Sequence, residues 1–520
     1  MTNRTDAAPG LGRRLAFAGA VAVAAALGLG ELLAGIFGTP SPLLSVARFI
    51  VDIQPPGAKD FVVSIFGEND KVAFEVFIIL LALGVGAVLG RVAPTRPDLA
   101  AGILAVFAGA GFAAALRDPN NIVVLSAAVA GIEAVAGIWV LRRLVAVAMT
   151  AGMPGAPPGT VDWRRRSLLQ AGGALAVGSL LAGWIGRTLL ERQRAPAVPA
   201  DLPSPPIAAD LPPGADLATA DLTAGGLTPI VVPNDQFYRI DTVLGPPPTI
   251  DRATWRLRVT GLVDRETELT YDELVAFPII EQYVTIACVS NDVGGGLVGN
   301  AKWTGVALRD VLDVAGVQPA ADQLVGRSVD GWTAGMPVEW VTDESRIPMI
   351  AIGMNDEPLP RFHGYPARLI VPGLYGYVSA TKWLTELELT RFDLFKGYWV
   401  PLGWAERAPI LTQSRIDVPS HRAQLQAGSV PIAGVAWAPD RGIQGVEVQV
   451  DGGAWQPATL SAPISDATWV QWILRWDATP GSHQIVVRAI DGTGEVQTDL
   501  RSRPAPDGAR GHHTITVSVT

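Results

Sequence analysis

The chain has 520 residues, of which 49% are hydrophobic and 17% charged, and its mean hydropathy is +0.30. This composition excludes a disordered chain and argues against a purely soluble protein. Residues 201–520 contain 23 Lys and Arg against 37 Asp and Glu, an acidic balance that argues against a nucleic-acid partner. The single cysteine, Cys288, excludes intrachain disulfides, clustered-cysteine zinc sites and iron–sulfur clusters.

The first 190 residues predict an all-α bundle of five membrane-spanning helices. Apolar stretches of about 20 residues, the length that a bilayer requires, lie at roughly 15–37, 74–93, 99–116, 122–149 and 168–190. The segment between the first two is broken by Pro55, Pro56 and Gly57, which predicts an interfacial loop. Arginines concentrate before the first span and in the loops after the second and fourth. The positive-inside rule therefore places the N-terminus in the cytoplasm and everything after about residue 190 outside it.

The fifth span begins with Arg164, Arg165 and Arg166, followed one residue later by Leu168 and Leu169. Two arginines, one further residue and two large apolar residues are typical of a twin-arginine signal, which exports a domain that has already folded. The alternative is an ordinary cytoplasmic charge flank.

Beyond residue 190 the pattern predicts a linker and two globular domains. Residues 191–232 are rich in Pro and Ala and lack aromatic residues, which predicts an extended linker. Residues 233–400 combine strand-like runs with helix starts near Thr270 and Ala307, as in an α+β domain. Alternation dominates residues 401–520, which predicts an all-β, immunoglobulin-like sandwich.

The positions of the carboxyl groups and the histidines limit which kinds of site the membrane-spanning helices could contain. Glu31 and Glu133 lie within spans and Glu75 lies at the end of one. Such groups could form a proton or quinone site, or could make only helix–helix hydrogen bonds. The five histidines all follow residue 232, so the bundle cannot bind haem through paired histidines and we expect no haem there.

Cys288 follows a strand-like apolar run and enters a loop with Ser290, Asn291, Asp292 and four glycines. A lone cysteine is most often a small buried hydrophobe, but a core cysteine would normally be followed by more apolar strand. A thiolate is also an apt ligand for a soft or high-valent metal. A metal or cofactor role is therefore the favoured interpretation, with a core cysteine as the alternative.

Several blocks, in order, resemble the sulfite oxidase family of molybdopterin enzymes, in its membrane-linked bacterial branch. The segment around Cys288 resembles the family's molybdenum-ligand segment, and residues 234–239 (NDQFYR) resemble the opening of its cofactor domain. Residues 363–373 (HGYPARLIVPG) and 375–383 (YGYVSATKW) are similar to its pterin-binding blocks. Residues 443–460 resemble its C-terminal dimerisation domain. The resemblance covers about residues 230–520 and does not extend to the spans.

The resemblance implies a molybdopterin cofactor, with Cys288 as the only protein ligand to molybdenum. Arg368 and Lys382 would bind the phosphate or the pterin edge, while His363 and Asn234 would hydrogen-bond to the pterin. Arg239 is a candidate substrate contact and, with Cys288, a candidate catalytic residue. The implied cofactor-binding positions are Asn234, Phe237, Tyr238, Arg239, Cys288, His363, Arg368, Ser379 and Lys382.

The resemblance also implies a reaction, a two-electron oxo transfer to or from a small-molecule substrate. Relatives that oxidise sulfite carry basic residues near the ligand cysteine, whereas here the nearest downstream cation is Lys302 and Asp241 stands where a histidine is usual. The substrate could therefore be a small oxyanion or another sulfur or nitrogen oxide, such as methionine sulfoxide. Expected partners are the lipid bilayer, a quinone or cytochrome as electron carrier and a second copy in a homodimer.

Two alternatives belong to other functional classes. One is a membrane-tethered surface binding protein without metal, in which Cys288 is a core residue and Arg368 and Lys382 are ordinary surface charges. The other is a transporter whose spans do the work, with Glu31 and Glu133 as proton sites.

Overall fold

The computed structural model describes residues 10–54, 70–118, 121–150, 160–193, 202–203, 222, 224–243, 247–343 and 345–520. The chain forms two compact units. The first comprises Met1–Pro196 with Thr242–Pro247, and the second comprises Ala197–Asp241 with Pro248–Thr520.

The first unit is a bundle of apolar helices. Five of them are long and apolar enough to cross a membrane, as the composition of residues 1–190 predicts. The helices in the described part of this unit are α1 (Leu11–Phe37), α2 (Pro42–Asp52), α3 (Asp70–Val92), α4 (Pro97–Ala115), α5 (Val123–Thr150) and α6 (Thr160–Gln193). The short one is α2, which occupies part of the predicted interfacial loop because Ser41 caps it and Pro42 starts it. Residues 55–69 of that loop lie outside the described residues.

Helix α1 packs against α3, α5 and α6 through small residues. A Cβ atom at Gly35 would lie 2.1 Å from Gly186 O on α6, and one at Gly19 would lie 1.9 Å from Gly86 O on α3. Small residues allow helix backbones to approach closely where apolar burial gives little driving force. The twin-arginine segment predicted at 164–166 falls within α6.

The first part of the second unit is α+β, as predicted, and contains two five-stranded sheets. One sheet has the order β2-β1-β10-β5-β6, with β1 parallel to β10. The other has the order β3-β4-β7-β8, with β9 also paired to β7. The strands are β1 (Arg256–Gly261), β2 (Thr267–Thr270), β3 (Ile279–Ala287), β4 (Val298–Ala307), β5 (Gln323–Ser328), β6 (Thr333–Pro337), β7 (Met349–Met354), β8 (Glu357–Pro358), β9 (Arg368–Ile370) and β10 (Leu384–Thr390).

Short helices connect these strands. A capping box between Thr270 and Glu273 starts the first of them, which is where the sequence predicts a helix. The helices are α7 (Tyr271–Leu274), α8 (Leu308–Ala315), α9 (Val338–Thr342) and α10 (Gly376–Ser379). Two 3-10 turns, Arg361–His363 and Val400–Leu402, complete this part.

The C-terminal part is a β-sandwich. Its sheets have the orders β11-β13-β17-β16 and β12-β19-β18-β14-β15, and apolar side chains of both sheets share one core around Trp472 and Val487. The strands are β11 (Gln413–Val418), β12 (Gln424–Leu425), β13 (Gly428–Trp437), β14 (Ile443–Val450), β15 (Gln456–Pro457), β16 (Thr459–Leu460), β17 (Val470–Ala478), β18 (Gly481–Asp491) and β19 (His513–Val519).

Buried hydrogen bonds join the sandwich to the α+β part. Thr285 on β3 accepts the backbone N–H of Trp469 through its hydroxyl oxygen at 2.8 Å. The side chains of Trp469 and Asn300 both donate to the carbonyl oxygen of Ile230, at 2.8 and 2.9 Å. The two parts therefore form one compact unit.

The predicted linker differs from the structure at both ends. Residues 191–193 continue helix α6. Near the other end, Ile230 and Val232 are buried in the second unit, and the backbone N–H of Thr228 donates to Asp417. The globular part therefore begins before residue 233, and most of 194–223 lies outside the described residues.

Candidate functional site

Cys288 lies at the start of a hairpin loop between β3 and β4. The strand pairing ends at Ala287 opposite Val298, so residues 288–297 form the loop. The Cys288 N–H donates to Leu297 O at 2.9 Å, and its sulfur lies 2.9 Å from Ser290 Oγ. The thiol is 9% exposed. The loop therefore holds a nearly buried sulfur at a defined position on the edge of the sheet.

Two contacts from the sandwich hold the same loop. Arg415 Nη1 donates to Gly295 O at 3.0 Å, and its Nε pairs with Asp417. Gly294 has a φ of 80°, and a Cβ atom there would lie 2.2 Å from the ring of His513. Only glycine fits at that conformation and that distance. The C-terminal domain thus restrains the loop that carries Cys288.

Arg368 is the most buried cation near this loop. It begins β9, which pairs with β7 of the same sheet, and it is 3% exposed. Its Nη1 donates to His363 O at 3.0 Å, whereas its buried Nε has no hydrogen-bond partner among the residues that the structure describes. Burial lowers the pKa of Arg368 to about 10, and the side chain stays charged at neutral pH. The hydroxyl of Tyr238 interacts electrostatically with both Cys288 and Arg368, which places it near both side chains.

Lys382 and Arg239 add two further cations. Both pair with the buried carboxylate of Asp241, at 3.1 and 3.0 Å respectively. Lys382 also donates to Phe362 O, and the Arg239 guanidinium lies over the Phe362 ring. Burial lowers the pKa of Lys382 to about 8. Asp241 pairs with two of the cations, and the third, Arg368, lies close enough to Lys382 to interact with it electrostatically. The group of Arg239, Asp241, Arg368 and Lys382 is therefore net positive, and we call it the cationic cluster.

His363 lies beside this cluster as a neutral group. Burial, reinforced by the charge of Arg368, lowers its pKa to about 4. Its Nε2 lies 3.0 Å from Asn234 O, and its ring meets Phe237 edge to face. The Asn234 side chain is itself engaged, because it donates to Met354 O and Glu357 and accepts from Asn355. Asn234 therefore positions its own loop as well as His363.

Two tyrosines approach Cys288 from α10. A Cβ atom at Gly376 would lie 3.7 Å from Ala287 O, so the start of α10 packs beside the cysteine. The hydroxyls of Tyr375 and Tyr377 lie close enough to Cys288 to interact with it electrostatically, and burial raises the pKa of Tyr375 to about 12. Both hydroxyls are therefore protonated at neutral pH. That of Tyr377 donates to Ala405 O at 2.5 Å, whereas that of Tyr375 accepts the N–H of Leu411 at 3.5 Å and keeps its own proton to donate.

The hydroxyl of Ser379 is directed into its own helix. It is fully buried and lies 3.1 Å from the carbonyl oxygens of Leu374 and Tyr375. Lys302 also lies apart from the cationic cluster, because it pairs with Glu281 and Asp356 and stands opposite Tyr283 in the sheet.

Comparison with known proteins identifies the family. Residues 244–399 match the family model described as oxidoreductase molybdopterin binding domain. Human mitochondrial sulfite oxidase is 30% identical over 316 residues, covering 52% of this chain and 57% of that protein. Sulfite oxidase of Arabidopsis thaliana is 27% identical over 329 residues, covering 52% of this chain and 82% of that protein. This chain belongs to the sulfite oxidase family of molybdopterin oxidoreductases.

Two further similarities accompany this match. Nitrate reductase [NADH] of Hordeum vulgare is 28% identical over 318 residues, covering 35% of that protein. The sulfane dehydrogenase SoxCD of Paracoccus pantotrophus has a TM-score of 0.49 at 24% identity, covering 57% of this chain and 82% of that one. The chain spans little more than half of the length of the human sulfite oxidase.

The cofactor of this family member is molybdopterin, and the residues of the site fit it. Molybdopterin carries a phosphate and a polar pterin, which need cations and donors. The cationic cluster offers a net positive charge, and Arg368 Nε is a buried donor without a partner. Gly364 has a φ of 115°. A Cβ atom at this position would lie 3.1 Å from both Arg368 and Lys382, so a side chain there would crowd both residues.

The structure brings together most of the residues that the sequence singles out. Phe237, Tyr238, Arg239, His363, Arg368 and Lys382 surround one region, with Cys288 next to Tyr238. The sequence alone does not indicate that Tyr375 and Tyr377 are neighbours of Cys288, or that Asp241 pairs with two cations. It also does not indicate that Arg415 and His513 contact the loop that carries Cys288. Spacing does not reveal the last two, because they lie more than a hundred residues from Cys288 along the chain.

The partly buried histidine His513, which contacts the loop that carries Cys288, predicts that the stability of the folded protein depends on pH. Burial lowers the pKa of His513 from 6.5 to about 4. The unfolded chain therefore binds a proton below pH 6.5 that the folded protein does not accept until about pH 4. The free energy of unfolding should be fully developed above pH 6.5 and should fall as the pH drops from 6.5 to 4.

Denaturant titration of the full chain across this pH range tests the effect. In the wild type, His513 Nδ1 accepts the Ile416 N–H at 2.9 Å, and the side-chain oxygen of His513→Asn can accept the same N–H. The free energy of unfolding of this variant should fall less steeply as the pH drops. Part of the dependence of the unfolding free energy on pH should persist in this variant, because burial lowers the pKa of His363 as well. The control His512→Gln should keep the wild-type slope, and an equal slope in His513→Asn would contradict the prediction.

Proposed function

We propose that the second unit is an oxidoreductase in which Cys288 is the protein ligand to molybdenum. The observation that carries the proposal is that one nearly buried thiol, Cys288, and Arg368 of the cationic cluster both lie close enough to interact with the hydroxyl of Tyr238. The family match supplies the cofactor class. When bound, molybdopterin supplies two-electron oxygen-atom transfer at its metal.

The residues of this chain then have separate roles. Cys288 offers a soft thiolate on a loop that Arg415 and Gly294 restrain. Arg368 offers a planar fork for the phosphate or the pterin edge, and Lys382 offers a point charge. Arg239 shares Asp241 with Lys382, which supports a role on the cofactor side of the site. Neutral His363 donates its ring N–H to Asn234 O through Nε2, so its Nδ1 can accept a hydrogen bond from the pterin.

The proposed substrate is a small oxyanion or a sulfur or nitrogen oxide. Lys302 is neutralised by two carboxylates, so its charge is not available to hold an oxyanion. Tyr375 offers a hydroxyl donor near Cys288, whereas the Tyr377 hydroxyl already donates to Ala405 O at 2.5 Å. The surface-protein alternative loses its basis, because Arg368 is buried and the side chain of Lys382 is only 12% exposed.

The test is elemental analysis of the full-length protein, purified in detergent after growth with ample molybdate. We expect nearly one molybdenum per chain. Turnover is then assayed with artificial electron carriers on sulfite, methionine sulfoxide and nitrate. A protein that contains no molybdenum under these conditions would refute the proposal.

We also propose that the first unit anchors this enzyme in a membrane, with the second unit outside the cytoplasm. Five sufficiently long apolar helices and the arginine distribution support it. A reporter active only outside the cytoplasm, fused after residue 520, should be active. If the segment is a twin-arginine signal, replacing Arg164 and Arg165 by lysine should retain the second unit in the cytoplasm.

The proposed partners are a quinone or cytochrome as electron carrier and a second copy of the chain. The C-terminal sandwich is the proposed dimerisation module, with an immunoglobulin-like fold. Sedimentation of the detergent-solubilised protein should give the mass of two chains, and a monomer at all concentrations would contradict this assignment.

A further inference from the structure

Three carboxyl groups and one arginine meet inside the helical bundle. They come from four helices: Glu31 on α1, Glu75 on α3, Glu133 on α5 and Arg187 on α6. Arg187 Nη1 donates to Glu75 at 2.7 Å, and its Nε lies 3.8 Å from Glu31. With one cation for three acids, this carboxyl cluster cannot have every carboxylate compensated by a charge.

Glu31 is compensated by hydrogen bonds as well as by Arg187. One of its oxygens accepts from Ser41 Oγ at 2.6 Å and from the N–H of Leu43 at 3.2 Å. Donors stabilise the ionised form of a buried carboxyl group. Glu31 and Glu75 therefore each have partners that stabilise the ionised form, although burial opposes ionisation at Glu31.

Glu133 differs from both. It is 7% exposed, and among the described residues it has neither a hydrogen bond nor an ion pair. Its carboxyl packs over Gly30, where a Cβ atom would lie 2.9 Å from Glu133 Oε2. Its charged neighbour is Glu31, which would repel a second negative charge. An ionised carboxyl with no donor and a like charge beside it is strongly disfavoured, whereas the protonated form is neutral.

A pocket lies along α2, and Ser41, which donates to Glu31, is one of its lining residues. Its lining includes Ser41, Arg48, Asp52, Arg117 and Asp118. Ser41 thus stands between the pocket and Glu31. A hydroxyl can accept and donate at the same time, and Ser41 accepts the N–H of Leu44 while donating to Glu31.

We propose that the bundle contains a proton-binding site at Glu133, which exchanges its proton with the polar pocket through Glu31 and Ser41. In the exchange the O–H bond of Glu133 breaks as one forms on Glu31. The O–H bond of Glu31 then breaks as the Ser41 oxygen takes up that proton and releases its own to solvent water in the pocket, so that Glu31 and Ser41 return to their initial states and Glu133 is left ionised. No oxidant or reductant is required. The site lies wholly in the first unit and is independent of the molybdenum chemistry.

Infrared spectroscopy of the full-length protein in lipid nanodiscs tests the site. The spectrum at neutral pH should contain the carbonyl stretch of a protonated carboxyl group, shifted in heavy water. Glu133→Gln, which is nearly isosteric, should abolish this band. The exposed Glu339→Gln should retain it, and so should Glu75→Gln, since Glu75 is ion-paired. A spectrum without the band, or a band that survives in Glu133→Gln, would overturn the proposal.

A chemical probe gives a second readout on the wild-type protein, in case Glu133→Gln does not fold. A hydrophobic carbodiimide reacts with protonated carboxyl groups in apolar surroundings, so mass spectrometry should find the label on Glu133 and not on Glu75. Labelling of Glu75 with Glu133 unmodified would contradict the site.

Hydrogen–deuterium exchange of the band tests the route. Ser41→Ala removes the hydroxyl between the pocket and Glu31 and should slow exchange about tenfold, as expected for loss of one hydrogen-bonded link. Ser126→Ala is the matched control, because Ser126 is a buried serine of the same bundle that bonds to Asn121 instead. Equal exchange rates in Ser41→Ala and wild type would refute the route through Ser41.

Discussion

Replacement of Cys288 by serine is expected to abolish turnover, by more than about a hundredfold, while the pterin stays bound. A serine hydroxyl is a hard donor that remains protonated at neutral pH, so it cannot replace a soft thiolate as a metal ligand. The cationic cluster that would hold the phosphate and pterin is unchanged by this substitution. Molybdenum and pterin per chain, together with the Mo(V) electron paramagnetic resonance signal, measure the two effects separately.

Ser290→Ala is the matched control for this experiment. Ser290 Oγ lies 2.9 Å from the sulfur, so the variant removes a hydrogen bond and keeps the ligand. Its Mo(V) signal should shift only slightly, and its turnover should fall by a few-fold at most. An unchanged Mo(V) signal and unchanged turnover in Cys288→Ser would show that the thiol is not the ligand, whatever the metal content.

Replacement of Arg368 by lysine is expected to reduce the molybdopterin content of the purified protein by about tenfold or more. Lysine keeps the charge but lacks the planar fork, and burial disfavours its ammonium ion more than a guanidinium. The variant also loses the hydrogen bond from Nη1 to His363 O. Pterin released by denaturation and quantified by fluorescence gives the content per chain.

Arg258→Lys provides the comparison for this variant. Arg258 on β1 is a half-exposed arginine paired with Glu386, so its replacement should leave pterin content and thermal stability near wild type. Thermal unfolding of Arg368→Lys separates loss of cofactor from loss of fold. A fully loaded and normally stable Arg368→Lys protein would contradict the role of the guanidinium fork.

Much of the architecture follows from local properties of the sequence. Length and apolarity alone predict the five long helices, since a membrane-spanning helix needs only about 20 apolar residues in a row. Alternation predicts the β-rich C-terminal part, and the capping box at Thr270 predicts α7. The loop position of Cys288 follows from the change of an apolar run into a glycine-rich segment. Each of these signals lies within a short window of the chain.

The partners of the charged groups depend on tertiary structure. Asp241 joins Arg239 to Lys382, although Lys382 lies far away along the chain. Lys302, the nearest downstream cation to Cys288 in sequence, is neutralised by Glu281 and Asp356. No periodicity encodes such pairs, because they form only when separate strands and loops pack side by side.

The same reason explains the roles of Asn234, Glu133 and the sandwich. Sequence spacing could name Asn234 and Glu133 as polar groups of interest, but only packing makes the first fully hydrogen-bonded and the second unpartnered. Arg415 and His513 reach the cysteine loop from a domain that the sequence presents as separate. The sequence by itself therefore determines the helices, the β-rich domains and the residues capable of chemistry. Tertiary packing decides which of those residues meet, because burial and charge compensation arise only where distant segments come into contact.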